Sequence, residues 1–219
     1  MEEYKIWQNL YELRGSVQGH LPLTQDIIDF FKRVSEKVKP KNILEFGTNF
    51  GGSAALQLTL NPEAKLTSFD PVIWHVNSAI YAQDSFINRH PKTFDRLPVT
   101  GLLHLVFGIE RFRFVHRSSY WVKELTNEKF DYAFIDGSHT YQDAFNDIQN
   151  CIDLEIPYLV IDNIVTDKDA TAKRSEVKKA VDQFANQLEE IDFVQYKTIH
   201  PLDKKVINDK CTLFKVIKA

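Results

Sequence analysis

"ILEFGTNFGGSAA", residues 43–55, decides the reading of this chain. An apolar run carries one acid, Glu45, and stops at Gly47. Gly51 and Gly52 follow, with Thr48, Asn49 and Ser53 among them, and a helix-forming run then begins. A strand that feeds a helix through flexible backbone leaves free amides at its end. A small charged ligand can lie across such a turn. Taken alone, the glycines also fit a tight strand-to-helix turn with no ligand.

Outward from this turn, strand and helix patterns alternate. "NILEF" is a strand and "GGSAALQLTL" opens a helix. "KLTSFD" is a second strand, and "NSAIYAQDSFINR" is helical. "RFRFVH" is a third strand, with a short helix near Tyr120 to Leu125. "FDYAFID" and "PYLVID" are strands on either side of the helix "YQDAFNDIQNCI". A helix near Ala172 to Leu188 buries Val177, Val181, Phe184 and Leu188. "DFVQYKTI" and "KCTLFKVI", joined by a polar turn with Asp203 and Asn208, finish as an antiparallel hairpin. The alternation predicts an α/β, doubly wound, seven-stranded sheet, mostly parallel, with right-handed crossovers.

Two helices precede this unit. One covers Glu2 to Leu13 with Tyr4, Trp7, Leu10 and Tyr11. The next starts after Thr24, an N-cap, sets Ile27, Ile28, Phe31, Val34 and Val38 on one side and stops before Pro40. The stretch from Pro71 to Glu110 is long for one crossover. Its "LLHLVF", Trp74 and Tyr81 suggest an extra helix or a lid, and a packed insertion fits equally well.

The bulk numbers bound the function. The 219 residues suggest a single structural domain with a sizeable core. A formal net charge of -3 gives no case for nucleic acid or an anionic membrane. Arg111, Arg113, His116 and Arg117 read as a strand with one wet face. Cys151 and Cys211 show no metal-type spacing and read as buried thiols of a reduced, cytoplasmic protein. "MEEYKIWQNL" does not read as a signal peptide, and no apolar stretch approaches a membrane span.

A dinucleotide fingerprint would need a glycine at position 49, where Asn49 stands, and a P-loop would need Gly-Lys-Ser/Thr. Instead, Glu45-x-Gly47-x-x-x-Gly51-x-Ser53 resembles motif I of class I S-adenosylmethionine-dependent methyltransferases, which have a Rossmann-like sheet. The resemblance implies that Gly47, Thr48, Asn49 and Gly51 approach the cofactor. The helix start and the Ser53 hydroxyl would hold its carboxylate, and Glu45 its cationic end. Asp70, at the end of the second strand, is placed for the ribose hydroxyls, or else shapes a turn before Pro71. Ser118 or Ser119 falls where the family often has an acid that reads the adenine. That departure makes adenine recognition the weakest part of the cofactor site.

"IDGSHTY", residues 135–141, resembles a bacterial and phage group of these enzymes, mostly O-methyltransferases. Thr140-x-x-Asp143 is a capping box, so Asp136 to His139 lie on a loop at the ligand edge. Strand five ends in Asp162-Asn163. Asp136, Asp162 and Asn163 offer three hard oxygens suited to Mg²⁺, as in the metal-dependent catechol-type O-methyltransferases. Those use a Lys three positions after the first Asp, where this chain has His139, an imidazole able to act as the base beside Asp136. Blander readings stand beside these. Asp136 would serve only the cofactor's amino group, Asp162-Asn163 would be an Asx turn, and His139 would simply precede a helix cap.

The motifs cover about residues 40–165. The family resemblance implies N-terminal helices over residues 1–39 that cap the pocket, with the cofactor-binding domain over 40–219 and an insertion at about 71–110. In this family those outer regions form the acceptor pocket and sometimes a homodimer contact. The expected function is methyl transfer to a small-molecule hydroxyl, with Mg²⁺ assisting. The alternatives are a metal-free N- or sugar methyltransferase and a degenerate cofactor-binding interaction module.

Overall fold

The computed structural model describes residues 24–49, 51–73, 98–164, 172–199 and 206–217. Helix α1, Gln25–Val38, starts where the Thr24 hydroxyl accepts from the Ile27 amide and ends at Lys39 in the left-handed conformation, just before Pro40. It buries Ile27, Phe30, Phe31 and Val34. Phe31 meets Phe134 edge-on at 5.5 Å, and burying such a ring is worth roughly 1.5–3 kcal/mol.

Strand β1, Asn42–Phe46, leads through the glycine turn into α2, Gly52–Leu60. After β2, Lys65–Phe69, the described crossover contains α3, Val99–Phe107, and then β3, Phe112–Val115. A 3₁₀ turn, Ser119–Trp121, runs into α4, Val122–Leu125. Then come β4, Tyr132–Ile135; α5, Tyr141–Asp153; β5, Tyr158–Ile161; α6, Ala172–Gln183; β6, Leu188–Ile199; and β7, Val206–Val216. The sheet order is β3-β2-β1-β4-β5-β7-β6. The first five strands are parallel, and β7 runs antiparallel to both β5 and β6. This is the seven-stranded, doubly wound arrangement that the alternation predicts.

Period-two burial splits the core. Ile43, Leu66, Tyr132 and Phe134 face α1 to α3. Leu44, Phe46, Ala133 and Ile135 face α5 and α6. The parallel register lines up the strand ends. Phe46 pairs with Phe69 and with Ile135, Phe69 with Val115, and Ile135 with Ile161. The first residues beyond these strands are therefore Gly47, Asp70, His116, Asp136 and Asp162, all at one edge. The strand order reverses between β1 and β4, where open α/β sheets hold their ligands.

Several expectations change. Helix α6 ends at Gln183, and Leu188 opens β6 rather than closing a helix. Asn208 lies inside β7, so it is no turn residue. "LLHLVF" belongs to α3, which buries Val99, Leu102, Leu103 and Phe107; it is a packed crossover helix, not a lid. Helix α1 lies against α2 and β6, with Arg33 paired to Asp192. Arg111 donates to the Leu58 and Asn61 carbonyls and closes the end of α2. Both cysteines are buried and outside any disulfide. Among the described residues no helix is long and apolar enough to cross a membrane. The helices expected at Glu2 to Leu13 and at residues 77–89, with Trp74, Tyr81 and Asp203, lie outside the described residues.

Candidate active site

The turn after β1 is built on left-handed backbone. Gly47 has φ +94°, Asn49 +44° and Gly51 +72°. The Gly47 amide donates to the Phe69 carbonyl at 2.9 Å, and the Asp136 amide to the Phe46 carbonyl at 3.0 Å, so the turn is tied to both neighbouring strand ends. Asp70 is buried against it. One of its oxygens accepts from the Asn49 amide at 2.9 Å and the other from the Val72 amide at 2.8 Å. Helix α2 begins at Gly52, behind Gly51 as its N-cap, and no side chain caps its first amides.

A cleft of about 300 Å³ opens over this edge. Of the residues expected to bind a ligand, Gly47, Asn49, Asp70, Ser118, Ser119 and Asp136 line it. Glu45, Thr48, Gly51 and Ser53 do not. Glu45 shares the Ile43 face of β1 and points beneath α2. There it accepts from Ser53 and Ser68, each at 2.6 Å, and from Gln57 at 3.2 Å. Thr48 joins through Ser68 at 2.5 Å, and the Tyr132 hydroxyl donates to Gln57. The expected contact of Glu45 and of the Ser53 hydroxyl with a ligand is therefore corrected: both lock α2 onto β1 and β2.

Burial raises the Glu45 carboxyl to about 7, against the lowering effect of its hydroxyl partners, and the Asp70 charge adds to the rise. An acid whose folded value is raised stabilises the fold fully below its ordinary value of 4.5, and that contribution is lost as pH rises through about 7. Glu45→Gln keeps the shape and removes the charge. The variant's thermal midpoint should change less between pH 5 and pH 8 than that of the parent. An equal or steeper fall would show that Glu45 is not the buried titrating group.

At the other end of the edge, Asp136 and Asp162 converge on Asn163, which is itself left-handed with φ +58°. The Asn163 amide nitrogen donates to Asp136 at 3.1 Å and to Asp162 at 3.0 Å. The Tyr196 hydroxyl donates to the second oxygen of Asp162 at 2.5 Å. Burial, then the Asp162 charge, pushes Asp136 well above the usual carboxylate range. Burial also raises Asp162 to about 7, with the Tyr196 hydroxyl opposing. The expected Mg²⁺ set does not fit as held. Asn163 turns its NH₂, not its oxygen, toward the carboxylates, and Tyr196 occupies Asp162 from behind. No three His, Cys, Asp or Glu side chains group to hold an ion among the described residues.

His139 is half-buried on the loop after Asp136 and does not line the cleft. Half of the capping box forms: the Thr140 hydroxyl accepts from the Asp143 amide at 3.2 Å, while the Asp143 carboxylate accepts from that hydroxyl at 2.7 Å rather than from the Thr140 amide. The Tyr120 hydroxyl also reaches that carboxylate, at 2.9 Å. Tyr141 packs on Phe145. Two residues of the site escaped the sequence reading. Tyr196 comes from β6. Asp147 lines the cleft from α5 and is only 2% exposed. Its signal was an acid on the buried stripe of Ala144, Ile148 and Cys151.

Comparison with known proteins agrees with this geometry. A family model described as "Methyltransferase domain" matches residues 44–164, more than half of the chain. No curated protein matches the sequence. Cofactor-bound Rv0187 from MTB superposes with a TM-score of 0.64 at 14% identity, covering 100% of this chain and 91% of that one. The O-methyltransferase of Bacillus cereus, solved with S-adenosylhomocysteine, gives 0.61 at 14% identity, covering 97% and 90%. TomG, an O-methyltransferase of Streptomyces achromogenes solved with S-adenosylmethionine, gives 0.58 at 18%, covering 90% and 82%. With the glycine turn, the strand edge and the family match falling on the same residues, this chain belongs to the methyltransferase domain family.

Proposed function

We propose that the chain transfers a methyl group from S-adenosylmethionine to a hydroxyl of a small molecule. The observation that carries this reading is the alignment of Gly47, Asp70 and Asp136 on one cleft at the strand-order reversal. The two O-methyltransferases solved with S-adenosylmethionine or S-adenosylhomocysteine support it.

The residues present fit that cofactor. The uncapped start of α2 suits its carboxylate, Asp70 its ribose hydroxyls, and Asp136 its ammonium. When bound, the cofactor supplies a methyl group activated by a positive sulfur. The chain holds the acceptor in line and keeps water out, an alignment worth several kcal/mol of the barrier. The hydroxyl proton needs a base, and the candidate is His139, whose imidazole is on the loop that carries Asp136 but outside the lining of the cleft. No step is assigned to Mg²⁺, because Asn163 presents its NH₂ rather than its oxygen to the two carboxylates.

Titration calorimetry with S-adenosylhomocysteine tests the reading. Binding is expected, and its absence would overturn the cofactor assignment. His139→Ala should lower turnover by about 10² while leaving that affinity unchanged. Normal turnover in this variant would remove His139 from the mechanism.

A further inference from the structure

The turn after β3 and the loop after β4 are two walls of the cleft. Ser118 and Ser119 line it from the first, Gly137 and Ser138 from the second. Helix α5 grips the first wall along one polar stripe. Asp143, Asn146, Asp147 and Asn150 follow one another at helical spacing and share a face. The Tyr120 hydroxyl donates to Asp143 at 2.9 Å and accepts from Asn146. Asp147 accepts from the Ser119 hydroxyl, and Asn150 donates to the Ser119 carbonyl at 3.2 Å.

Asp143 also grips the second wall. Its carboxylate accepts from the Thr140 hydroxyl at 2.7 Å and from the Ser138 hydroxyl. Ser138 and Thr140 stand on either side of His139. Capping α5 does not require this, because the Thr140 hydroxyl already holds the Asp143 amide. Burial opposes the charge on Asp143, yet the Ser138, Thr140 and Tyr120 hydroxyls keep its carboxyl below the usual range. A charged acceptor holds such donors about twice as strongly as a neutral one. Ser138, Thr140 and Tyr120 are all exposed, so water could satisfy each of them separately. One shared carboxylate couples them instead.

We propose that Asp143 is a positioning residue: it ties the loop that carries His139 to the turn after β3, and so fixes where that imidazole stands relative to the cleft. The inference deepens the proposed function and rests on its choice of His139 as the candidate base. A base must come within hydrogen-bond reach of the proton it takes, and a misplacement of about 1 Å can cost about 10² in rate. A loop held on both sides of its functional residue moves as one piece. Tyr120 gives that piece a fixed point outside α5.

The test alters one wall and reads the other. Tyr120→Phe removes the hydroxyl, keeps the ring and leaves the Thr140 cap of α5 in place. Hydrogen exchange on the full chain should then run about tenfold faster across residues 136–140, as expected when a local opening loses one restraint. The ring resonances of His139, identified by their loss in His139→Ala, should shift in the same variant. A residue that only caps α5 would produce neither change. Asp143→Ala should speed exchange across both 117–122 and 136–140. Asp143→Asn keeps an acceptor oxygen, should restore part of the protection, and serves if the alanine variant does not fold. Unchanged exchange and unchanged His139 resonances in Tyr120→Phe would overturn the proposal. So would an effect of Asp143→Ala confined to the first turn of α5. Absence of S-adenosylhomocysteine binding to the parent protein would overturn the proposed function, and the part of Asp143 in it, even where the exchange result holds.

Discussion

Gly47→Ala should abolish measurable binding of S-adenosylhomocysteine and lower the thermal midpoint by about 10 °C. The reason is a collision. A Cβ at Gly47 would stand 2.2 Å from the Asp136 carbonyl oxygen, 2.8 Å from its carbon and 2.9 Å from Gly137 Cα. These are backbone atoms and cannot swing aside, so the ends of β1 and β4 must separate. That movement opens the cleft where the cofactor is expected. The φ of +94° adds roughly 1–3 kcal/mol of strain for any other residue. A total near 3–5 kcal/mol, at about 2–4 °C per kcal/mol for a domain of this size, gives the stated shift. Gly108 provides the control. Its φ is +83°, yet an added Cβ would meet nothing within 4 Å. Gly108→Ala should therefore carry the strain without the collision and leave binding intact. Equal losses in both variants would mean that backbone strain, not the contact with Asp136, accounts for the effect.

The order of elements and the ligand edge were legible in the sequence because each rests on local chemistry. Apolar runs of four or five residues ending in Gly or Asp mark strands that stop at a functional edge. What the reading missed lies one level up, in the direction of side chains. Glu45 lies two residues before Gly47, and spacing alone faces it toward the ligand. The pleat settles the matter differently: Ile43 and Glu45 share a face, Leu44 and Phe46 the other, so Glu45 must lie beneath α2. Spacing brought Asp136, Asp162 and Asn163 to one place, but it could not say that the amide would present nitrogen. That choice follows from burying two acids together, since two carboxylates hold a donor more readily than a third oxygen. In α6 the apolar stripe runs on through Phe184 to Leu188, but the helix stops at Gln183 and the amides of Phe184 and Leu188 bond to Val181 and Phe184. The same apolar residues serve a turn and then a strand. Asp147 belongs to the same class. Its importance depends on the turn after β3 lying against α5, a contact between segments far apart in the chain.

Asp70→Ala should weaken S-adenosylhomocysteine by about 10² to 10⁴ while costing less stability than Gly47→Ala. Asp70 does two jobs from one position. Its two oxygens hold the Asn49 and Val72 amides, at 2.9 and 2.8 Å, and so fix the glycine turn to the exit of β2. A carboxylate has about four acceptor positions, so two remain for the ribose hydroxyls. Hydrogen bonds to a charged acceptor contribute about 1.5–3 kcal/mol each, and losing two from the complex gives the expected fold-change at about 1.4 kcal/mol per decade. The amides released by the mutation lie beside the cleft, where water can reach them, so the folded state loses less than the complex does. Asp70→Asn separates the two jobs. Its amide oxygen can still hold one backbone N–H, while its NH₂ donates where the ribose also needs an acceptor. The asparagine variant should therefore keep the parent's thermal midpoint to within a few degrees and still bind at least tenfold more weakly. If both variants bind normally, the ribose lies elsewhere and Asp70 only shapes the turn before Pro71. If both lose stability and affinity together, the carboxylate acts through the glycine turn, and its contact with the ribose contributes little.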